Sequence, residues 1–253
     1  MVSSLLFVTT LIFQASAFRP TSVVKQTAAT PPSDPSKTVS QEMRGDIFMA
    51  RKMYREALET YKTCPPDSAV TANKIGIAYH QMLDLENARK YYERAVKLRP
   101  DYAEAINNLG TVYYARKSYR RSITQYRKAL RLTPDSASIL SNLGTSYFAR
   151  KNYELAFETY QQALKLDPEV FEHRNSMGIL LQERTVDERA KFHYYLARTY
   201  AKAGDVEHTL IYVRKALEEG FKEPDKFKKD PEFQIVRDNP EFKLILSAEH
   251  KVL

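Results

Sequence analysis

The chain has 253 residues, of which 43% are hydrophobic and 28% are charged, and its formal net charge is +8. This balance predicts a folded chain, and it favours a partner with an acidic surface or a weak attraction to anionic membranes or nucleic acid. A single cysteine, Cys64, excludes an intramolecular disulfide and a cysteine metal cluster. We expect Cys64 to fill a small core position.

The first 17 residues have the pattern of a secretory signal. An apolar run extends from Leu5 to Phe13, and Ala15-Ser16-Ala17 supplies small residues for cleavage before Phe18. Because the run is shorter than the ~20 residues of a membrane-spanning helix, we expect export to the periplasm or the extracellular space. The alternative is an uncleaved membrane anchor over residues 5–17. Residues 18–37 are rich in proline and lack an apolar period, which predicts a disordered linker.

Residues 38–222 form an array whose regular units repeat with a period of 34, and the first unit is three residues shorter. Glycine returns at residues 76, 110, 144 and 178, and tyrosine, alanine and proline return at other slots of the same period. A period of 34 indicates helix–turn–helix units that stack into an array. The glycines lie inside the first helix of each unit, where glycine costs ~1 kcal/mol relative to alanine, so we expect close helix packing there.

The repeated slots resemble the motif of the tetratricopeptide-repeat family. The residues that carry this resemblance are Leu109, Gly110, Tyr113, Ser122, Tyr126, Ala129 and Pro134. The family's usual tryptophan is absent, and Ile106 and Leu140 fill its slot. The resemblance implies an all-α fold, a right-handed superhelical solenoid of antiparallel helix pairs whose first helices line the concave side. It also implies a scaffold that binds a protein or an extended peptide.

We divide the array into units 38–66, 69–102, 103–136, 137–170 and 190–222, with an irregular segment at 171–189. In the irregular region one long helix near 187–203 matches both halves of a unit, and the charged stretch 182–189 is the expected place for a kink or loop. Asp101 and Asp135 each follow a proline, and we expect them to cap the next helix.

Residues 223–253 are expected to form a helical cap over the open end of the array. Asp230-Pro231-Glu232-Phe233 and Asn239-Pro240-Glu241-Phe242 both combine a capping residue, a proline at the first helical position and an early acid. Two short helices are therefore predicted, and a terminal repeat needs such a cover for its apolar face. The alternative is a docking motif for another protein.

The sequence contains no recognisable catalytic or metal-binding pattern. The five histidines lack the HExxH spacing, no serine lies in GxSxG, and no glycine-rich phosphate loop is present. We therefore expect no enzyme activity and no cofactor. An acid and a base brought together only by folding would leave an unrecognised enzyme as an alternative.

Two surfaces are candidates for binding. A helical plot of the first helices predicts a polar groove with aromatic flanks, formed by Asn73, Asn107, Asn108, Thr111, Tyr114, Asn142, Thr145 and Phe148. Its amides would pair with the backbone of an extended peptide, or would tie one first helix to the next.

Basic pairs recur at the turns inside the units, and they predict a basic edge formed by Arg51, Lys52, Arg116, Lys117, Arg150 and Lys151. This edge would attract an acidic partner or only keep the turns soluble. We expect a non-catalytic, exported protein- or peptide-binding scaffold. A nucleic-acid-associated protein that uses the basic edge is the alternative.

Overall fold

The structure is a computed structural model that describes residues 40–172 and 185–248. The predicted secretory signal, the linker, Gly178 and most of the irregular segment lie outside these residues. Every regular element in the described ranges is helical. None of the helices in these ranges combines the length and the apolar character that crossing a membrane requires.

Most helices follow one another in pairs. The first helices of four pairs are α1 (Gln41–Ala50), α3 (Ala69–Gln81), α5 (Ala103–Ala115) and α7 (Ala137–Ala149). Their second helices are α2 (Tyr54–Lys62), α4 (Leu85–Leu98), α6 (Tyr119–Leu132) and α8 (Tyr153–Leu166). They are followed by α9 (Val186–Ala203), α10 (Val206–Glu218), α11 (Lys226–Lys229), a 3-10 helix (Pro231–Val236) and α12 (Pro240–Ser247).

The helices pack in chain order. Within each pair the two helices pack against each other, and each second helix also packs on the first helix of the next pair. The predicted all-α solenoid of helix pairs is confirmed. The division into numbered units, with its residue boundaries, stays a prediction.

Each repeat glycine in the described ranges lies against a tyrosine ring of the second helix. A Cβ atom at Gly76 would lie 2.6 Å from the ring of Tyr92, and one at Gly110 would lie 2.7 Å from the ring of Tyr126. Gly45 and Gly144 have the same relation to Tyr61 and Tyr160. Close helix packing at this slot is confirmed, and the group that fills the space is an aromatic ring.

Two expectations about single residues are wrong. The caps of α5 and α7 are Tyr102 and Ser136, and the Ser136 hydroxyl accepts a hydrogen bond from the Ile139 amide at 3.4 Å. Asp101 and Asp135 each lie one residue earlier, in the turn. Cys64 is half-buried instead of fully buried, because α2 ends at Lys62 and the cysteine follows in the turn.

The C-terminal helix starts occur where the sequence motifs predict them. Proline occupies the start of both the 3-10 helix and α12, and the Asn239 side chain accepts hydrogen bonds from the Glu241 and Phe242 amides. The first element is a 3-10 helix instead of an α-helix. The 3-10 helix packs on α9 and α10, and the side chains of Phe233 and Phe242 are buried.

The long helix α9 begins inside the charged stretch where a kink or loop was expected. Thr185 caps the helix in a capping box with Glu188. The residues before Thr185 in that stretch lie outside the described ranges. From Val186 onward the helix is continuous and packs on both α8 and α10.

Candidate functional site: the first-helix face

The first-helix face is the side of the first helices α1, α3, α5 and α7 on which the predicted groove residues lie. Side-chain amides tie neighbouring helices together across it. The Asn108 amide donates to the Asn73 side-chain oxygen at 3.1 Å, and the Asn142 amide donates to that of Asn107 at 3.3 Å. Asn73 is itself only 1% exposed and donates to Glu104 at 2.9 Å. The amides of this face therefore bond to one another between neighbouring first helices.

Lys74 occupies the same slot of the repeat as Asn108 and Asn142. Its ammonium group lies 2.6 Å from Glu42 and 2.8 Å from Asp46, both on α1. Burial lowers the pKa of Lys74, but the hydrogen bonds to the two carboxylates outweigh this effect and the pKa is raised. The cation is thus neutralised inside the protein.

The threonines of the predicted groove accept hydrogen bonds from buried tyrosines. The Tyr126 hydroxyl donates to Thr111 at 3.1 Å, and the Tyr160 hydroxyl donates to Thr145 at 3.3 Å. In the first pair, Tyr61 donates to Asp46 at 2.6 Å. In these three pairs, the residue at one slot of the first helix therefore accepts a hydrogen bond from the tyrosine hydroxyl. The ring of that tyrosine packs on the repeat glycine.

The second pair breaks this rule, because Ile77 occupies the accepting slot. The Tyr92 side chain is 1% exposed, and no described residue forms a hydrogen bond with its hydroxyl. Burial raises the pKa of Tyr92, and the nearby Glu104 carboxylate raises it further. The Tyr92 hydroxyl therefore lies within electrostatic range of Glu104 on α5.

The two aromatic residues of the predicted groove differ in exposure. Phe148 is 3% exposed and packs against Tyr153, Phe192 and Tyr195, with ring centroids 5.1–6.0 Å apart. Tyr114 is half-buried, and its ring centroid lies 5.4 Å from that of Tyr119. Among the predicted groove residues, Asn73, Thr145 and Phe148 are buried, whereas Asn107, Asn108, Thr111, Tyr114 and Asn142 are half-buried.

An open cleft of about 590 Å³ lies between the start of α5 and the link into α7. Glu104, Asn107 and Ser138 line it from the two first helices, and residues 133–136 line it from the link. Only Asn107 belongs to the predicted groove. A helical plot of the first helices also places Glu104 and Ser138 on the groove side. Such a plot describes helices only, so it could not predict that residues 133–136 between α6 and α7 line the cleft.

The basic edge is exposed at all six predicted positions. Its lysines, Lys52, Lys117 and Lys151, have φ angles of 57–62°, in the left-handed region. Arg116 forms an ion pair with Glu86 at 2.7 Å. The positive charge of this edge is therefore partly compensated in the third helix pair.

A metal site is a separate question from a binding surface. Across residues 40–172 and 185–248, no three His, Cys, Asp or Glu side chains are arranged to hold a metal ion.

Comparison with known proteins identifies the family of part of the array. The tetratricopeptide-repeat family model matches residues 67–135 and again residues 101–169. Residues 67–169 are tetratricopeptide repeats. The glycines Gly76, Gly110 and Gly144 and the tyrosines that pack on them lie within the matched residues.

Solved structures with the same fold include two of MamA. The structure described as MamA 41-end from Desulfovibrio magneticus RS-1 is 21% identical, with a TM-score of 0.51, and covers 71% of this chain and 92% of that chain. The MamA RS-1 ArsTM double mutant is also 21% identical, with a TM-score of 0.50 and the same coverage. At this identity the similarity concerns the fold alone. None of the curated proteins compared matches the sequence.

Proposed function

We propose that this chain is a non-catalytic scaffold that binds a protein segment or an extended peptide on its first-helix face, and that it acts after export. The repeat family supports a role in protein interaction. The observation that carries the choice of surface is the open cleft lined by Glu104, Asn107 and Ser138 from consecutive first helices. Export rests on the apolar run and the cleavage pattern before Phe18.

The polar groups of this face favour a ligand that supplies hydrogen-bond donors. Glu104 and Asp135 place carboxylates at the cleft, whereas Lys74 is already paired with two acids. A peptide backbone or a basic side chain fits such a surface better than a carboxylate does. The Tyr92 hydroxyl adds one donor that an acceptor on the ligand, such as a peptide carbonyl oxygen, would satisfy.

Site-specific photo-crosslinking tests the surface. A photoreactive amino acid replaces Ser138, which is exposed in the cleft, and in a control it replaces Glu158, which is exposed on α8. We expect crosslinks to a protein partner from position 138 and none from position 158, with the partner identified by mass spectrometry. Crosslinks from position 158 alone would contradict the proposal.

The substitution Tyr92→Phe then tests the ligand contact with a matched control. It removes a hydroxyl that has no described partner, so the melting temperature should not fall. Loss of one ligand hydrogen bond costs ~0.5–1.5 kcal/mol of binding free energy. The control Tyr126→Phe removes a hydroxyl that is bonded to Thr111, and it should lower stability without a specific loss of affinity. If Tyr92→Phe binds the crosslinked partner with unchanged affinity, the Tyr92 hydroxyl does not contact the ligand.

The proposal of export has its own measurement. N-terminal sequencing of the protein recovered from its native source should find Phe18 as the first residue. An intact Met1 on membrane-bound protein would replace export with the anchor alternative.

A further inference from the structure

Helix α6 differs from the helices on either side of it by its charge. Its sequence from Tyr119 to Leu132 contains five cations and no acid. The cations are Arg120, Arg121, Arg127, Lys128 and Arg131. The neighbouring second helices α4 and α8 both contain glutamates. Among these three helices, only α6 has basic residues without any acidic residue.

The five cations lie together on the side of α6 opposite to the core. At 100° per residue, Arg120, Arg127 and Arg131 fall within about 40° of one another, and Arg121 and Lys128 form a second row beside them. The opposite side contains the buried residues Ser122, Ile123, Tyr126 and Ala129. The four arginines are exposed and Lys128 is half-buried. The stripe is about 16 Å long at 1.5 Å per residue.

None of these five cations forms an ion pair with a residue in the described ranges. Two of them lie over tyrosine rings instead. The Arg121 guanidinium is 5.8 Å from the ring centroid of Tyr113, and that of Arg127 is 5.7 Å from the centroid of Tyr147. Such contacts hold a guanidinium in place without neutralising its charge.

Three of the four acids of the neighbouring second helices α4 and α8 are occupied elsewhere, and the fourth, Glu158, shares its repeat slot with Thr124 instead of with a cation. Arg120 shares its repeat slot with Glu86 and Glu154, which are paired with other arginines at 2.6–2.9 Å. Arg127 shares its slot with Glu93, which is paired with Arg89 at 2.7 Å. The stripe on α6 thus remains positive although acidic residues are present on both sides of it.

The surroundings of the stripe favour one class of anionic partner. A surface helix that binds a membrane inserts its apolar side, but that side of α6 is packed inside the array. Single-stranded nucleic acid requires exposed aromatic rings for stacking, whereas Tyr126 is 2% exposed and Tyr119 is half-buried against Tyr114. A carboxylate-rich protein segment needs neither feature, and arginine binds carboxylates with two parallel hydrogen bonds.

We propose that the exposed side of α6 is a second interaction surface, which binds an acidic helical segment of a protein partner. Glutamate or aspartate side chains at positions i, i+7 and i+11 of that segment match the spacing of Arg120, Arg127 and Arg131. The surface is separate from the first-helix face, so the scaffold holds two partners at once.

The test compares two variants of the full chain that have the same net charge. The face variant contains Arg120→Gln, Arg127→Gln and Arg131→Gln. The control contains Arg55→Gln, Lys202→Gln and Lys228→Gln, which remove three exposed cations from α2, α9 and α11. The probes are a helical peptide with glutamates in the matching positions, a peptide of scrambled order, a double-stranded DNA oligomer and phosphatidylglycerol vesicles. Far-UV circular dichroism verifies that both variants are folded.

At low salt we expect the matching peptide to bind the wild-type chain more tightly than the scrambled peptide does. The face variant should lose about tenfold in affinity, since each exposed charge pair contributes modestly, and the control should lose less than about twofold. Equal losses in both variants would show an effect of net charge alone and overturn the proposal. Tighter binding of DNA or vesicles, abolished in the face variant, would assign the surface to those partners and also overturn it. Failure of every probe to bind would also overturn the proposal. The test of the first-helix face is independent of all these outcomes.

Discussion

At the scale of single residues, each of the first four helix pairs contains a glycine that lies against a tyrosine ring. Alanine is the better helix former by ~1 kcal/mol, so propensity alone predicts that Gly110→Ala stabilises the protein. The structure predicts the opposite, because the new Cβ would be 2.7 Å from the Tyr126 ring. The ring belongs to a fully packed side chain and cannot move away without cost.

We therefore expect Gly110→Ala to lower the free energy of unfolding by ~1–3 kcal/mol, the usual cost of overpacking. The control is the same substitution in a Tyr126→Leu background, where the ring is gone. There the alanine should raise stability by up to ~1 kcal/mol relative to the single Tyr126→Leu variant. Chemical denaturation of the four proteins measures both effects, and destabilisation of equal size in both backgrounds would contradict the steric explanation.

Backbone conformation at the turns provides a second prediction. Leu83 has a φ angle of 61° and is 76% exposed, in the turn that corresponds to those of Lys117 and Lys151. A left-handed conformation costs an ordinary residue about 1–2 kcal/mol, whereas glycine has an entropic cost of about 0.5–1 kcal/mol. Leu83→Gly should therefore raise the melting temperature slightly. Leu155→Gly, which removes a 44% exposed leucine from inside helix α8, should lower it. A fall of equal size in both variants would exclude a contribution from the φ angle.

At the scale of the helix, the amide bonds decide how one first helix is held against the next. Asn108 and Asn142 make equivalent bonds, but their acceptors differ in burial. The acceptor of Asn108 is the buried Asn73, and the acceptor of Asn142 is the half-buried Asn107. Water can replace the lost partner only at the second position.

Asn108→Ala should accordingly lower the free energy of unfolding by ~1–3 kcal/mol, the cost of leaving a buried polar atom unsatisfied. Asn142→Ala should cost only ~0.5–1.5 kcal/mol, because solvent reaches Asn107. Urea denaturation of the two single variants tests the difference. If both variants unfold at the wild-type urea concentration while affinity for the crosslinked partner falls, the amides serve the ligand and not the array.

At the scale of the whole molecule, the C-terminal segment covers the last helix pair. Phe227, Phe233 and Phe242 are at most 1% exposed. Arg198 of α9 connects this segment to the array, since its guanidinium lies 2.9 Å from Glu154 on α8 and 2.9 Å from Glu232 on the 3-10 helix. The segment thus both buries apolar rings and shares an ion network with two helices.

Removal of residues 225–253 should expose this apolar surface, lower the melting temperature and promote aggregation. Thermal unfolding and light scattering of the truncated chain measure the two effects. The substitution Leu244→Ser is a suitable control, because that side chain is 68% exposed and its loss should change neither quantity. A monomeric truncated chain with the wild-type melting temperature would favour the docking alternative for the two Pro-Glu-Phe motifs.

The helix pairs, the glycine slot and the C-terminal helix starts could all be predicted from the amino-acid sequence. These features depend on local sequence patterns. The patterns are apolar residues at helical spacing, a fixed repeat period, and a proline at the first position of a helix. The polar groups that remain free to bind a partner could be identified only from the contacts between helices. The amide bonds join Asn108 to Asn73 and Asn142 to Asn107, at separations of 35 residues instead of 34, so they cross the predicted rows diagonally. Phe148 is buried by rings of α8 and α9, and the cations of α6 stay unpaired while Glu86, Glu93 and Glu154 bind other arginines. Such pairings depend on the distance that a side chain reaches between adjacent helices, which a repeat period does not specify.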